Sequence, residues 1–206
     1  MRQINAVFLD HDGTLGDSVD AIYNSAMYVL RMSGIPQISL HEFFEGLTVP
    51  FQDFLRELGV SASLEQVLDW YCLAAKNSVT TLLFSDVQPV LNQLHQSGVV
   101  LGVISANSEE ILRKHLSEGG VINLFSEVHG DVQGKADTIR ECALKYNSNL
   151  EQSLYVGDFP SDMRDGVQAG IIPVGITRRY QTADLLRRNG AKFVIENLYE
   201  LLPLVS

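Results

Sequence analysis

Six residues of the chain have side chains suited to phosphate or metal chemistry, and they occur in separate short motifs. They are Asp10, Asp12, Ser105, Lys135, Asp158 and Asp162. Most of them follow an apolar run, and Lys135 lies at the start of a helical pattern. In an open parallel sheet, ligands bind beyond the carboxyl ends of the strands. If the apolar runs are strands of such a sheet, these residues converge on one edge of it.

A cluster of carboxylates at that edge requires a cation. Like charges close together repel and raise each other's pKa, and a divalent ion offsets that repulsion. The sequence has only two cysteines, Cys72 and Cys142, which are far apart with neither a CxxC motif nor a histidine cluster beside them. Hard oxygen ligands without cysteine or histidine favour Mg²⁺. We therefore predict Mg²⁺ as the cofactor.

The remaining groups are suited to a phosphoryl group. Lys135 offers a point charge and Ser105 a hydroxyl donor. The backbone amides of Gly13, Ala106 and Asn107 are candidate further donors, and Gly13 lets the backbone turn close to the phosphate. Together with an aspartate nucleophile and a second aspartate as acid and base, this set predicts phosphoryl transfer.

The elements that must position these residues alternate between strand and helix. Apolar runs predict buried strands at 6–9, 99–104, 153–156, 172–176 and 193–195, with a short one at 127–130. Helical periodicity fits 87–96, 108–117, 135–146, 162–169, 180–188 and 197–204. This alternation predicts an α/β fold, a Rossmann-like parallel sheet with helices on both faces.

One region interrupts the alternation, because 17–85 contains amphipathic helical segments and no convincing strand. We therefore predict a core domain formed by 1–16 and 86–206, with a helical cap domain at 17–85 inserted after the first strand. The aromatic residues of the insert are interpreted mainly as its own core.

The motifs resemble those of the haloacid dehalogenase superfamily, in its phosphoglycolate phosphatase-like branch. Four of them match in order: DHDGT at 10–14, ISANS at 104–108, Lys135, and GDFPSD at 157–162. The resemblance covers almost the whole core, and four ordered motifs are far more specific than any one of them.

This resemblance implies a role for each residue. Asp10 is the nucleophile and a Mg²⁺ ligand, and Asp12 is the acid and base, with its backbone carbonyl also on the metal. Asp158 and Asp162 complete the metal site. Ser105 and Lys135 hold the phosphate. Thr14, grouped with Gly13 in the phosphate-binding set, supports the loop that carries Asp12.

His11 departs from the family, which usually has an apolar or aromatic residue there. Successive residues of an extended strand face opposite ways, so we expect His11 to pack away from the two aspartates rather than bind metal. The basic pairs at 178–179 and 187–188 are interpreted as solvated helix surface.

Three alternatives to a phosphatase remain open. A sugar phosphomutase uses the same intermediate, although the cap lacks a clear β-phosphoglucomutase signature. A dehalogenase is disfavoured, because in the family an aspartate at the position of Asp12 accompanies phosphoryl transfer. A phosphorylation-switched receiver module also uses an acidic rim with a hydroxyl and a lysine, but the helical insert and Asp12 argue against it.

Composition limits the partners. The formal net charge of −10 disfavours nucleic acid and anionic membranes. The isolated cysteines, the N-terminus without a signal-peptide pattern and the absence of a long apolar run predict a cytoplasmic protein. In the insert, eight acidic residues outnumber three cations, Arg31, Arg56 and Lys76. The expected partner is thus a small phosphorylated metabolite, and the acidic insert favours one with a neutral leaving group.

Overall fold

The computed structural model describes residues 3–47, 51–76, 81–146 and 149–205, with the side chain of Lys76 excepted. The chain divides into two compact units, one formed by 1–17 and 82–206 and the other by 18–81. The first is an α/β unit and the second is entirely helical in its described part. Among the described residues, no helix combines the length and the apolar character needed to span a bilayer.

Six parallel strands form the sheet of the α/β unit: β1 Ala6–Leu9, β2 Val100–Ile104, β3 Glu127–His129, β4 Ser153–Gly157, β5 Ile172–Ile176 and β6 Phe193–Ile195. Their order across the sheet is β3-β2-β1-β4-β5-β6. The predicted fold class, a parallel sheet covered by helices, is confirmed. The short run at 127–130, the weakest strand signal, forms the edge strand β3.

Among the described residues, six α-helices accompany the sheet: α5 Val87–Gln96, α6 Glu109–Glu118, α7 Ala136–Lys145, α8 Pro160–Ala169, α9 Ala183–Arg188 and α10 Leu202–Val205. Their boundaries follow local chemistry. Pro160 extends the start of α8 beyond the periodic segment, since proline is favoured in the first turn. The hydroxyl of Thr182 caps α9 and delays its start. A 3₁₀ turn at Leu198–Leu201 replaces the first part of the last predicted helix.

The central strand β1 is buried on both faces, which fixes the layering of the unit. Val7 and Leu9 pack into one hydrophobic cluster, and Ala6 and Phe8 pack into another. This alternation is the period-two geometry of a strand between two helical layers. Leu9 lies opposite Val103 of β2 and Val156 of β4. The segments that follow β1, β2 and β4 therefore leave the sheet at the same edge.

The helical unit contains α1 Val19–Met32, α2 Leu40–Gly46, α3 Phe51–Glu57 and α4 Leu64–Lys76. Phe43 and Phe54 are buried with their ring centroids 5.4 Å apart. Phe44, Phe51, Trp70 and Tyr71 are partly buried against the same cluster. The aromatic residues of the insert are therefore mainly core, as the sequence analysis predicts.

A buried ion pair links the end of β5 to the start of α5. Arg178 makes a two-pronged contact with Asp86, with N–O distances of 2.8 and 3.0 Å, and the two side chains are only 9% and 7% exposed. The guanidinium also donates to the carbonyl of Thr14 at 3.0 Å and lies 4.1 Å from the ring of Phe84. The interpretation of Arg178 as solvated surface is wrong, because the sequence does not show that Asp86 lies beside it.

We expect Arg178→Ala to lower the free energy of unfolding by about 3 kcal/mol, because Asp86 would remain buried without its cation. Arg188→Ala is the matched control, since Arg188 is exposed on α9. Urea unfolding of the two variants measures the difference. Equal stability of both variants and the wild type would contradict this assignment.

Candidate active site

The predicted site residues meet at the carboxyl edge of the sheet. Asp10 directly follows β1, and its amide donates to the carbonyl of Val156 at 2.8 Å. Ser105 directly follows β2, and its amide donates to the carbonyl of His129 at 2.9 Å. Asp158 directly follows β4. Backbone pairing therefore brings three motifs together that lie far apart in the sequence.

Lys135 links two of these motifs. Its ammonium lies 2.8 Å from Oδ1 of Asp10 and 2.8 Å from Oδ1 of Asp162, and its side chain is only 9% exposed. Burial disfavours this charge, but Asp10 and Asp162 outweigh the burial and hold the pKa of Lys135 well above its ordinary value. Lys135 is therefore a fixed cation at the bottom of the site.

The carboxylates of Asp10, Asp158 and Asp162 form a cluster in which one oxygen from each lies within 4.8 Å of the others. Burial, together with Asp162 and Asp12, raises the pKa of Asp10 to about 7 although Lys135 opposes the shift. Burial, Asp162 and Asp10 also raise the pKa of Asp158 well above its ordinary value. One lysine therefore does not compensate the cluster. The all-oxygen donor set and this uncompensated charge fit a divalent ion such as Mg²⁺.

Asp12 lies apart from that cluster, and its side chain is 24% exposed. Its Oδ2 accepts a hydrogen bond from the amide nitrogen of the Asn107 side chain at 3.3 Å. Its Oδ1 lies 3.2 Å from Nδ1 of His11. The two aspartates of the first motif thus have different surroundings, because one is buried against a lysine and the other is more open and contacts Asn107 and His11. This difference suits one to attack and the other to transfer protons.

Gly13 and Thr14 bring the first motif close to Asp158. Gly13 has φ +74°, and a Cβ there would lie 2.2 Å from Oδ2 of Asp158, so only glycine fits. Thr14 is fully buried, and its hydroxyl donates to Oδ1 of Asp158 over 3.5 Å. The sequence analysis grouped Thr14 with the phosphate-binding residues, whereas the structure places its side chain against a predicted metal ligand.

The three amides that were candidate phosphate donors differ in their pairing. The Gly13 amide donates to the carbonyl of Gly16 at 2.9 Å, and the Asn107 amide donates to Oγ of Ser105 at 3.1 Å. Of the three, only the Ala106 amide has no acceptor among the described residues. Ser105 itself is buried, with its hydroxyl held in this turn.

Two further contacts fix the side chain of Asp162, and the sequence analysis missed one of them. The hydroxyl of Tyr155 lies 3.4 Å from Oδ1 of Asp162 and 3.3 Å from the carbonyl of Ile104. The amide of Phe159 donates to Oδ2 of Asp162 at 3.0 Å, which caps the start of α8. The capping pattern was detectable from the acidic residue after Pro160. The role of Tyr155 was hidden, because a tyrosine in a buried strand is usually only packing.

His11 is fully buried and lies outside the carboxylate cluster. Its ring stacks on His115 of α6 with centroids 5.3 Å apart. Burial opposes protonation of His11, but Asp12 and Asp10 together outweigh it and raise the pKa of His11. A packing role is therefore supported. The expected separation from both aspartates is wrong, because Nδ1 turns back to the carboxyl group of Asp12.

Known proteins resemble the chain along its length. The sequence matches the family described as haloacid dehalogenase-like hydrolase over residues 7–176. A phosphoglycolate phosphatase of Vibrio parahaemolyticus is 24% identical, over 100% of this chain and 97% of that protein. One of Synechococcus elongatus is 25% identical, over 98% of each.

The fold is shared with solved structures as well. A haloacid dehalogenase-like family hydrolase of Streptococcus pneumoniae superposes with a TM-score of 0.85 at 21% identity, covering 100% of both chains. The predicted resemblance is confirmed by the sequence match, which includes all four motifs up to Asp162, and by the shared fold. The chain belongs to the haloacid dehalogenase-like hydrolase family.

Proposed function

We propose that the protein is a Mg²⁺-dependent phosphatase of small phosphate monoesters that works through an aspartyl-phosphate on Asp10. The observation that carries this proposal is the position of Lys135 between Asp10 and Asp162, beside Asp158. That arrangement places the Asp10 carboxylate beside a buried ammonium that can also bind a phosphate. The phosphatase names of the curated relatives support the same activity.

The residues present fit a magnesium ion. Asp10, Asp158 and the backbone carbonyl of Asp12 would hold it, with Asp162 directly or through water. When bound, the ion would offset the carboxylate charges and polarise the phosphoryl group. Thr14 would keep Asp158 oriented, because outer hydrogen bonds fix the direction of a ligand.

The side chains divide the reaction into two displacements. A carboxylate oxygen of Asp10 attacks phosphorus, the bond from phosphorus to the ester oxygen breaks, and the carboxyl group of Asp12 gives its proton to that oxygen. Asp12 then takes a proton from water, the water oxygen attacks phosphorus, and the bond from phosphorus to Asp10 breaks. Lys135 and Ser105 stabilise the charge on the phosphoryl oxygens throughout.

The strand order argues against a receiver module but does not distinguish a phosphatase from a phosphomutase. Receiver domains share the flavodoxin-like strand order 2-1-3-4-5. Here the order is β3-β2-β1-β4-β5-β6, and the family match extends across the helical insert, so a receiver module is disfavoured. A phosphomutase uses the same Asp10 and Asp12 and differs only in the acceptor of the second displacement.

The helical unit at 18–81 is proposed to act as the cap that selects the substrate. Arg56 lies 3.3 Å from Asp53, and Arg31 stacks over Tyr28 at 4.9 Å. The third cation, Lys76, has its side chain outside the described residues. The acidic excess of this unit favours a neutral leaving group. The relatives from Vibrio parahaemolyticus and Synechococcus elongatus, by contrast, are named for phosphoglycolate, which is anionic.

We expect the purified protein to release phosphate from a panel of monoesters only with a divalent metal present, because the buried carboxylates repel phosphate without it. The panel includes glycerol phosphate and phosphoglycolate, assayed with Mg²⁺, with Ca²⁺ and with excess EDTA. Calcium should substitute poorly, since it prefers more ligands at longer distances. Full turnover in EDTA would overturn the metal requirement. Release from phosphoglycolate alone would overturn the preference for a neutral leaving group.

Asp10→Asn should abolish turnover, because the amide is not a nucleophile, while its oxygen still accepts from Lys135. In EDTA the variant should melt no lower than the wild type at neutral pH. The wild-type Asp10 ionises near 3.8 when unfolded and at about 7 when folded. The free energy of unfolding of the wild type therefore falls as the pH rises through that window, because the folded state disfavours the ionised Asp10. The variant should lose less stability over the same range, because its amide does not ionise. Thermal melts across this range test it, with Asp137→Asn as an exposed control. Near wild-type hydrolysis by Asp10→Asn would remove Asp10 as the nucleophile.

Asp12→Asn should slow turnover by about 10²–10⁴-fold, because both proton transfers are lost. With p-nitrophenyl phosphate, whose leaving group needs little protonation, the variant should give a burst of about one equivalent and then a slow rate. Mass spectrometry should find the phosphoryl group on Asp10. Asp17→Asn, on the exposed end of the same loop, is the control. A wild-type rate with every leaving group would exclude Asp12 from the mechanism, and phosphate on Ser105 or His11 would reassign the nucleophile.

A further inference from the structure

A second group of metal-binding side chains lies where β3 packs against α7. Glu127 and His129 are two residues apart on the edge strand, so their side chains share one face of the sheet. Cys142 projects from α7 toward the same point. One donor atom from each of the three residues lies within 4.8 Å of the other two. This group shares no residue with the carboxylate cluster of the active site.

Two of the three donor atoms contact the third, which is a ring nitrogen of His129. Nε2 of His129 lies 2.8 Å from Oε2 of Glu127 and 3.4 Å from Sγ of Cys142. One ring nitrogen carries at most one proton, so it cannot satisfy both neighbours as a hydrogen-bond donor. A metal ion between them would satisfy all three.

The distances approach those of a tetrahedral zinc site. Zinc bond lengths of about 2.0–2.3 Å place nitrogen and sulfur ligands about 3.6 Å apart, and nitrogen and oxygen ligands about 3.4 Å apart. The separation of 3.4 Å between His129 and Cys142 is already close to this. The contact between Glu127 and His129 would open by about 0.6 Å once an ion replaces the proton.

Neighbouring residues hold Glu127 in the orientation that a ligand needs. Lys145 and Tyr146 both donate to its other oxygen, Oε1, and Tyr146 does so at 2.7 Å. This leaves Oε2 directed at His129. Such outer partners are the usual support of a metal ligand. The side chain of His129 is 36% exposed, which gives an ion a route from solvent.

We propose that Glu127, His129 and Cys142 bind a divalent transition-metal ion of the Zn²⁺ class, with water as a fourth ligand. The Cys142 thiol loses its proton to solvent as the sulfur–metal bond forms. The ion joins β3 to α7, the helix that begins next to Lys135. Its role is therefore structural, and it holds the edge of the sheet against the helix that follows the phosphate-binding lysine.

Cobalt spectroscopy tests the site apart from catalysis. Co²⁺ is added to the full-length protein in excess Mg²⁺, which occupies the active site, and a thiolate-to-cobalt charge-transfer band is recorded. The wild type and Cys72→Ser should show the band at one equivalent, and Cys142→Ser should not. Cys72 is the matched control, since it is the chain's other cysteine and is exposed.

Zinc titration against a chromophoric chelator provides the second measurement. His129→Gln should weaken Zn²⁺ binding by at least about tenfold, because even loss of an outer-shell partner costs that much. His95→Gln, an exposed histidine on α5, should leave binding unchanged. Absence of the thiolate band in the wild type would overturn the proposal without reference to any variant. An unchanged band in Cys142→Ser, or unchanged zinc affinity in His129→Gln, would also overturn it.

Discussion

The contact of Lys135 with Asp10 and Asp162 is the interaction on which the candidate active site depends. An ammonium buried this deeply stays charged because carboxylates lie 2.8 Å from it. The same carboxylates remain close together only because the lysine offsets part of their charge. The remaining imbalance, expressed in the raised pKa values of Asp10 and Asp158, is what a metal ion and a phosphate would resolve. The charges of the site would therefore be balanced only when the metal ion and the phosphate are bound.

The fold supplies the rigidity that such a site requires. The register of β1 between β2 and β4 places Asp10, Ser105 and Asp158 at one edge. Behind that edge, Arg178 and Asp86 connect the loop after β5 to the start of α5 and to the carbonyl of Thr14. A buried ion pair contributes little net stability compared with an apolar pair, but it fixes geometry, because few arrangements satisfy both partners. Here that geometry belongs to the loop that carries Asp12 and Gly13.

The group formed by Glu127, His129 and Cys142 shows how one helix can serve two purposes. The residue before α7 is Lys135, and Cys142 lies further along the same helix. Tyr146 and Lys145, at its end, hold the carboxylate of Glu127. A bound ion would therefore stabilise the packing of the helix that presents Lys135. The active site and this second group would share a support while using different donor atoms, hard oxygens in one and a mixed set in the other.

The sequence by itself determined the fold class and most of the residues that meet at the candidate active site. Alternating apolar runs and helical periodicity predicted the parallel sheet, and the residues after each run predicted which side chains meet. These inferences succeed because they depend on local patterns and on the rule that parallel strands end at one edge.

Only the tertiary structure decided which distant groups became partners. Arg178 was interpreted as surface and is buried against Asp86, 92 residues away. Cys142 was judged isolated and lies beside His129, because helix α7 folds back onto β3. Such pairings depend on how helices and strands pack against each other, and the spacing of residues in the sequence does not predict that packing.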